Sequence, residues 1–203
     1  MRSVRTTLDV SALPSTVFGS RGLVWWGTVG FMVIEGFTLA LCVVSYLYLR
    51  RNFVEWPPPR TPHPDLLLPT VGVVLTVLSN IPMHFVMQAA KRFDRGTVAK
   101  WLIVCSIIGL VVLVIRIFDF AALNSRWDSH AYGSVAWTTV GFHTVLLVLE
   151  VGETIGGMLL FLFTGCLQDK HFVDATDNAM YWRFVTLGWV PLYVLVYLVP
   201  RWV

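Results

Sequence analysis

Five stretches of the chain are almost continuously apolar and long enough to cross a membrane as helices. They run from about residues 24 to 49, 66 to 89, 99 to 123, 132 to 167 and 181 to 199. A membrane-spanning helix needs about 20 mainly apolar residues, and these runs lack the alternation of barrel strands. The pattern predicts an all-α fold, a polytopic membrane helix bundle with five transmembrane helices.

The segments between these stretches are short and polar, so no linker separates two domains. The segment from Trp56 to Pro64 contains five prolines, which remove backbone donors and bias their predecessors towards extended conformations. We expect residues 168–178 to form a polar loop, and Pro82 predicts a kink in the second span. The predicted organisation is a cytoplasmic N-terminal segment of residues 1–23 followed by one domain of residues 24–203.

The composition supports a membrane protein and excludes several other classes. Of the 203 residues, 56% are hydrophobic and 13% are charged, whereas soluble domains carry about 25% charged residues. The net charge of +3 is too small to indicate a nucleic-acid partner. No phosphate-binding loop, dinucleotide fingerprint or nucleophile elbow occurs, and no pair of helices carries several histidines for haem or copper. We therefore expect no catalytic residue, metal or cofactor in this chain.

The distribution of Lys and Arg between the two sides predicts the orientation of the bundle. Because cytoplasmic loops are enriched in Lys and Arg, the side that carries more of them is expected to be cytoplasmic. The N-terminal side carries nine, namely Arg2, Arg5, Arg21, Lys91, Arg92, Arg95, Lys100, Lys170 and Arg183. The opposite side carries five, namely Arg50, Arg51, Arg60, Arg126 and Arg201. The bias predicts a cytoplasmic N-terminus and an external C-terminus.

Glu35 is the ionisable residue placed deepest in a predicted span. It lies near the midpoint of the first apolar stretch, where an ionisable side chain is costly and faces protein or water. Two interpretations remain open. The carboxyl either joins neighbouring helices through hydrogen bonds, or belongs to a proton route or a lipid pocket.

Two other spans carry ionisable groups. Arg116 and Asp119 lie three residues apart in the third span, a spacing that predicts a structural ion pair within one helix. His143 and Glu150 share one face of the fourth span, and Glu153 lies one turn further along. A metal site of the kind found in carboxylate bundles needs a second Glu-x-x-His set, which the sequence lacks. A hydrogen-bonded polar seam between helices is therefore the favoured interpretation. The adjacent Tyr181 and Trp182 are expected to anchor the fifth span at the membrane interface.

Several motifs, in order along the chain, resemble subunit III of the haem–copper respiratory oxidases. Residues 31–36 resemble the family's membrane-glutamate helix, with Glu35 as the glutamate. The other matching positions are Trp56, Pro57 and Pro58 in a loop, His84 in the second span, Tyr132, Gly133 and Ser134 followed by Gly141, Phe142 and His143 in the fourth, and Tyr181, Trp182, Phe184 and Trp189 in the last. The resemblance covers nearly all of residues 24–203.

The sequence also departs from the family's motifs. The histidine and aspartate of the closing motif fall on Arg183 and Thr186, and the second histidine of the fourth span falls on Leu146. Arg116 and Asp119 replace a glutamine and a glutamate, and Glu150 stands where the family usually has a glycine. These departures indicate a divergent branch.

The resemblance implies a subunit without redox centres in a hetero-oligomeric oxidase. The chain resembles a short, five-helix form that is typical of prokaryotic cell membranes. In such an oxidase, haem and copper are held by the partner subunits I and II, and subunit III packs on subunit I, binds phospholipid and supports proton uptake. The electron donor, and oxygen or nitric oxide as substrate, are set by other chains. A quinol oxidase, a nitric-oxide reductase, or a stand-alone proton-coupled transporter using Glu35, His143 and Glu150 remain alternatives.

Overall fold

The computed structural model describes residues 16–202, and every regular element in that range is helical. A short 3-10 turn at Gly19–Arg21 precedes the helices α1 (Leu23–Asn52), α2 (Leu67–Leu78), α3 (Asn80–Lys91), α4 (Arg95–Ala122), α5 (Ala131–Phe163) and α6 (Asp169–Tyr193). From Val194 to Arg201 the last helix continues as a π-helical turn and a 3-10 turn. Residues 1–15 of the predicted N-terminal segment, with Arg2 and Arg5 of the charge count, lie outside the described residues.

Five helical segments are long and apolar enough to cross a membrane: α1, α2 with α3, α4, α5, and α6 with its terminal turns. Their lengths run from 25 to 33 residues, against about 20 needed to span the hydrocarbon core. The predicted all-α bundle of five transmembrane helices is confirmed, and the protein is a multi-pass membrane protein.

The second span is broken between α2 and α3, as the Asn80-Ile81-Pro82 sequence predicts. The break falls at Ser79, and α6 crosses it. Trp182 Nε1 donates a hydrogen bond to Ser79 Oγ at 2.9 Å, and Asn80 Nδ2 lies 2.9 Å from Thr186 Oγ1. Polar groups at a break in a membrane helix need partners on a neighbouring helix, and here α6 supplies them.

The last helix begins much earlier than the hydropathy pattern predicts. Residues 168–178 are not a loop, because α6 starts at Asp169 and buries Phe172, Val173 and Ala175 inside the bundle. The interfacial position expected for Tyr181 and Trp182 is also wrong, since both are buried in the middle of α6. Arg183, counted above among loop residues, is likewise in mid-helix, although the excess of Lys and Arg on that side persists without it.

The helices differ sharply in how much of their surface the bundle buries. Half of the most apolar window of α6 is buried, against 6% of that of α1. α6 packs against α3 and α5, while α1 contacts only α5 and α6 extensively. Helices α4 and α5 approach closely at Gly109, where an added Cβ would lie 2.7 Å from Val151 Cγ2. The second to fifth spans therefore share the core, with α6 the most buried of them and α1 at the edge of the bundle.

Candidate functional site

Glu35 of α1 and Tyr181 of α6 meet inside the bundle. Each lies about 18 Å along its helix from the first residue, at a rise of about 1.5 Å per residue. The Tyr181 hydroxyl donates a hydrogen bond of 2.6 Å to Glu35 Oε2. This contact joins the peripheral helix α1 to the central helix α6 through the carboxyl that the sequence placed deepest in the membrane.

A cavity of about 410 Å³ lies beside this pair, between α1, α5 and α6. Its apolar walls include Phe31 and Leu149, and its polar lining includes Glu35, Glu153, Asp177 and Tyr181. We call this cavity the acidic cleft. Three of its lining side chains are carboxyls, one from each of the three helices.

Glu150 and Glu153 differ in burial, although they lie only three residues apart on α5. Glu150 is fully buried, and neither carboxyl oxygen has a hydrogen-bond partner among the described residues. Glu153 is exposed at the cleft. The predicted hydrogen-bonded seam along α5 is therefore wrong for these two residues. Three residues turn an α-helix by about 300°, so Glu153 lies about 60° around α5 from Glu150, on the side of the helix that lines the cleft.

No cation of the described residues neutralises the carboxyls of the acidic cleft. Residues 16–202 form two ion pairs, Arg116–Asp119 and Arg126–Asp128, and neither involves the cleft. Asp177 also lines a second cavity of about 330 Å³, and the basic side chains of Lys91 and Arg183 line that cavity with it. Neither comes within 4.0 Å of the Asp177 carboxyl.

The other sequence-predicted groups lie in the half of the bundle where α4 ends and α5 begins. His143 is fully buried, donates from Nε2 to the Val185 carbonyl at 2.9 Å, and stacks on Trp189 with 4.6 Å between ring centroids. Arg116 and Asp119 are each 2% exposed, with Arg116 Nη1 at 3.2 Å from Asp119 Oδ2. The Arg116 guanidinium lies 3.7 Å above the Trp189 ring, a cation–π geometry.

A third group links α3 to α6 at His84. Arg183 Nη2 donates to His84 Nδ1 at 3.0 Å, and the Gln88 amide lies 2.8 Å from Nε2. Thr186, the other departure from the family's closing motif, bonds Asn80. Arg183 and Thr186 therefore serve contacts between α6 and the broken second span.

The loop motif of the resemblance is structural in this molecule. Trp56 is buried and meets Tyr46 and Tyr132 edge to face, with ring centroids 5.4 and 5.2 Å apart. Gly133 has no room for a Cβ, because the Arg126 carbonyl occupies that position. The Ser134 hydroxyl donates to the Trp127 carbonyl at 2.7 Å. These contacts fasten the loop after α1 and the start of α5.

Two cleft residues were missed or misplaced by sequence reasoning. Asp177 was assigned to a loop, and Tyr181 to the membrane interface. The signal that could have found Asp177 is its spacing from Asp174, since residues three apart lie on one helix face, with buried apolar residues between them. Of the four candidates Glu35, His143, Glu150 and Glu153, the cleft brings together Glu35 and Glu153. Glu150 is buried, and His143 lies in the other half of the bundle.

The described residues offer no ligand set for a metal ion. Within residues 16–202, no three His, Cys, Asp or Glu side chains are close enough together to hold one. The carboxyls of the acidic cleft come from three different helices and surround a cavity much larger than a single ion. The arrangement suits a bulkier guest or the binding of protons.

Comparison with known proteins gives a consistent result. A family model described as cytochrome c oxidase subunit III matches residues 53–201. The chain is 26% identical to the cytochrome c oxidase subunit 3 of Synechocystis sp. over 208 residues, which cover 97% of this chain and 85% of the relative. It is 22% identical to that of Thermostichus vulcanus, covering 86% and 87% respectively. It is also 28% identical to a probable cytochrome c oxidase subunit 3 of Mycobacterium tuberculosis, covering 71% and 72%.

Proposed function

The chain belongs to the cytochrome c oxidase subunit III family, and from this premise we propose that it is a non-redox accessory subunit that packs on the catalytic subunit I of a haem–copper oxidase. The observation that carries the proposal is the family match, which covers about three quarters of the chain. In this proposal, haem and copper are held by subunits I and II.

Within the complex, the subunit supports stability, phospholipid binding and proton uptake. The geometry favours the acidic cleft for the last two roles, because it combines apolar walls with carboxyls at membrane depth. Glu35, Glu150 and Glu153 are the candidates for proton exchange. His143 is a weaker candidate, since it stacks on Trp189 and bonds the backbone of α6. Residues 24–203 form a single functional unit in this proposal.

The proposed location is a prokaryotic cell membrane, with the N-terminus in the cytoplasm and the C-terminus outside. The excess of Lys and Arg on the side of the α3–α4 turn supports this orientation. Topology reporters fused after Arg95 and after Pro62 should report cytoplasm and exterior, respectively. The reverse pattern would refute the orientation without affecting the family assignment.

Co-purification tests the function directly. An affinity-tagged copy of the chain, extracted from native membranes in mild detergent, should migrate with haem-bearing chains and give a haem spectrum. Tagged chain from separate cells, mixed with untagged extract after solubilisation, is the control for adventitious association. Migration of the tagged chain alone would favour a stand-alone transporter. Assays of the same complex with cytochrome c, quinol, oxygen and nitric oxide then identify the electron donor and the terminal substrate.

A further inference from the structure

The lining of the acidic cleft has more hydrogen-bond acceptors than donors. Its three carboxyls, from Glu35, Glu153 and Asp177, face two hydroxyl groups that are already engaged. Tyr181 donates to Glu35, and Thr28 donates to the backbone carbonyl of Val24. The carboxyls of Glu153 and Asp177 thus receive no hydrogen bond from a described residue. A guest that completes this site must supply donors.

Asp177 is an independent sign of a missing partner. Its side chain is 5% exposed, lines the cleft, and has one carboxyl oxygen that is fully buried without a hydrogen-bond partner. Glu150, three residues before Glu153 on α5, has two such oxygens. Buried polar atoms in native proteins nearly always have partners, and an unpaired buried charge is particularly costly. Both observations point to a positively charged group in the cleft.

The size and walls of the cleft indicate an organic cation rather than a metal ion. The cavity of about 410 Å³ falls within the usual range of small-molecule sites, about 300–1,000 Å³. The described carboxyls do not converge closely enough for metal coordination. Phe31 and Tyr181 offer aromatic rings beside the carboxyls, and rings of this kind attract ammonium groups. Leu149 and Val24 complete an apolar wall that would accommodate a hydrocarbon body.

We infer that the acidic cleft binds a ligand with a primary ammonium head and an apolar body, held by Glu153 and Asp177 next to the Glu35–Tyr181 pair. This inference rests on the proposed function, because it specifies the chemistry of the lipid-binding site suggested above. Such a ligand has two sources, an amine-headed membrane lipid or a free lipophilic amine. The shared chemistry is the ammonium group on a hydrocarbon chain.

Photolabelling of the purified oxidase complex tests the inference. Two probes share one diazirine-bearing alkyl chain, and one ends in a primary ammonium group while the other ends in a hydroxyl. The ammonium probe should label peptides containing Phe31 and Leu149 at least about tenfold more strongly, a factor that corresponds to a single favourable charge contact. Equal labelling by the two probes would overturn the inference.

Matched variants locate the charge that the ammonium probe recognises. Glu153→Gln and Asp177→Asn, singly and together, should remove the preference for the ammonium probe while preserving side-chain shape. Asp169→Asn, on the same helix but outside the cleft, should leave the preference unchanged. If the double variant keeps its preference for the ammonium probe, the inference is overturned. Because Glu153 is exposed, the single variant Glu153→Gln should fold normally and keeps the test valid if the double variant misfolds.

Competition distinguishes the two sources of the ligand. Phosphatidylethanolamine vesicles that suppress labelling identify an amine-headed lipid, whereas suppression by a soluble alkylamine alone identifies a free amine. Equal suppression by phosphatidylglycerol would overturn the ammonium assignment. The haem content of every labelled preparation is measured alongside. Wild-type chain that lacks haem-bearing partners would refute the proposed function, while wild-type complex with normal haem and no ammonium preference would refute only this inference.

Discussion

The two halves of the bundle hold membrane-embedded charge in opposite ways. On the Arg116 side, one cation and one anion on the same helix lie 3.2 Å apart under the Trp189 ring. On the side of the acidic cleft, Glu35, Glu153 and Asp177 come from three helices, and no described cation lies within 4.0 Å of their carboxyls. The first half pairs its two charges within this chain. The second depends on protons, a ligand or a partner for its neutrality, and is therefore where function is expected.

The largest expected effect comes from separating the buried pair. Arg116→Gln or Asp119→Asn alone leaves an uncompensated buried charge, which costs about 3–5 kcal/mol. The double variant should recover most of that loss, because neither charge remains. Thermal denaturation of the solubilised complex and retention of the subunit during purification measure the effect.

The exposed pair Arg126–Asp128 provides the control for that experiment. Arg126 is 79% exposed, and breaking a surface pair costs about 0–1 kcal/mol. Arg126→Gln should therefore leave stability nearly unchanged. If the stability losses of Arg116→Gln and Asp119→Asn are additive in the double variant, each residue interacts with a different partner.

The next effect concerns packing, which is tight at the junction of α4 and α5 and loose at the cleft. Gly109→Ala would place a Cβ 2.7 Å from Val151 Cγ2, and overpacking of this kind costs about 1–3 kcal/mol. Val151→Ala in the same chain should relieve the clash. Gly152→Ala is the matched control, since no atom lies within 4 Å of its added Cβ. Equal effects of Gly109→Ala and Gly152→Ala on the denaturation midpoint would contradict the packing difference.

A smaller effect is expected from the Glu35–Tyr181 contact. Glu35→Gln keeps an acceptor for the Tyr181 hydroxyl and should assemble almost normally. Glu35→Ala and Tyr181→Phe each remove the bond, which is worth about 0.5–1.5 kcal/mol, and should release bound lipid more readily. We expect faster loss of oxidase activity during turnover with an unchanged initial rate. A lowered initial rate in Tyr181→Phe would instead indicate a direct role in proton delivery.

The smallest effect on stability is expected at Asp94. Unlike the carboxyls of Glu153 and Asp177, its carboxylate accepts a hydrogen bond from a described residue. Asp94 caps α4 by accepting from Thr97 N at 3.1 Å, and the Thr97 hydrogen bonds lower its pKa. A lowered folded-state pKa stabilises the protein above the ordinary carboxyl value, and this stabilisation is lost as the pH falls through the lowered value. Asp94→Ala should therefore reduce the denaturation midpoint slightly at neutral pH and not in strong acid. A difference that persists in acid would point to another role.

Hydropathy predicted the number and order of the spans because every helix that crosses lipid needs a long apolar run, whatever its exact sequence. It failed at the start of α6, where Asp174 and Asp177 interrupt the apolar pattern but face cavities within the bundle. A window average cannot tell a polar residue in a loop from one that faces another helix. For the same reason Tyr181 and Trp182 were wrongly predicted to lie at the membrane interface, although both are buried among helices.

The candidate site was predictable only in part. Glu35 was identified because its depth in a span is visible in one helix alone, and the Arg116–Asp119 spacing is likewise local. The acidic cleft joins residues of α1 to residues of α5 and α6 that lie more than one hundred positions later in the chain, so its assembly depends on tertiary packing. The difference in burial between Glu150 and Glu153 also depends on that packing, because the helical period alone does not state which face is buried.

The break in the second span has a consequence for the order in which the protein matures. Ser79 and Asn80 are synthesised about one hundred residues before Trp182 and Thr186, the α6 side chains that bond them. Chains enter the membrane from the N-terminus as they are made, so the break enters the membrane before its polar groups have hydrogen-bond partners. These hydrogen bonds form only when α6 packs against the second span, and this step completes the bundle. Nascent chains halted before residue 181 should be recognised by membrane quality control, whereas chains halted just after residue 190 should escape it.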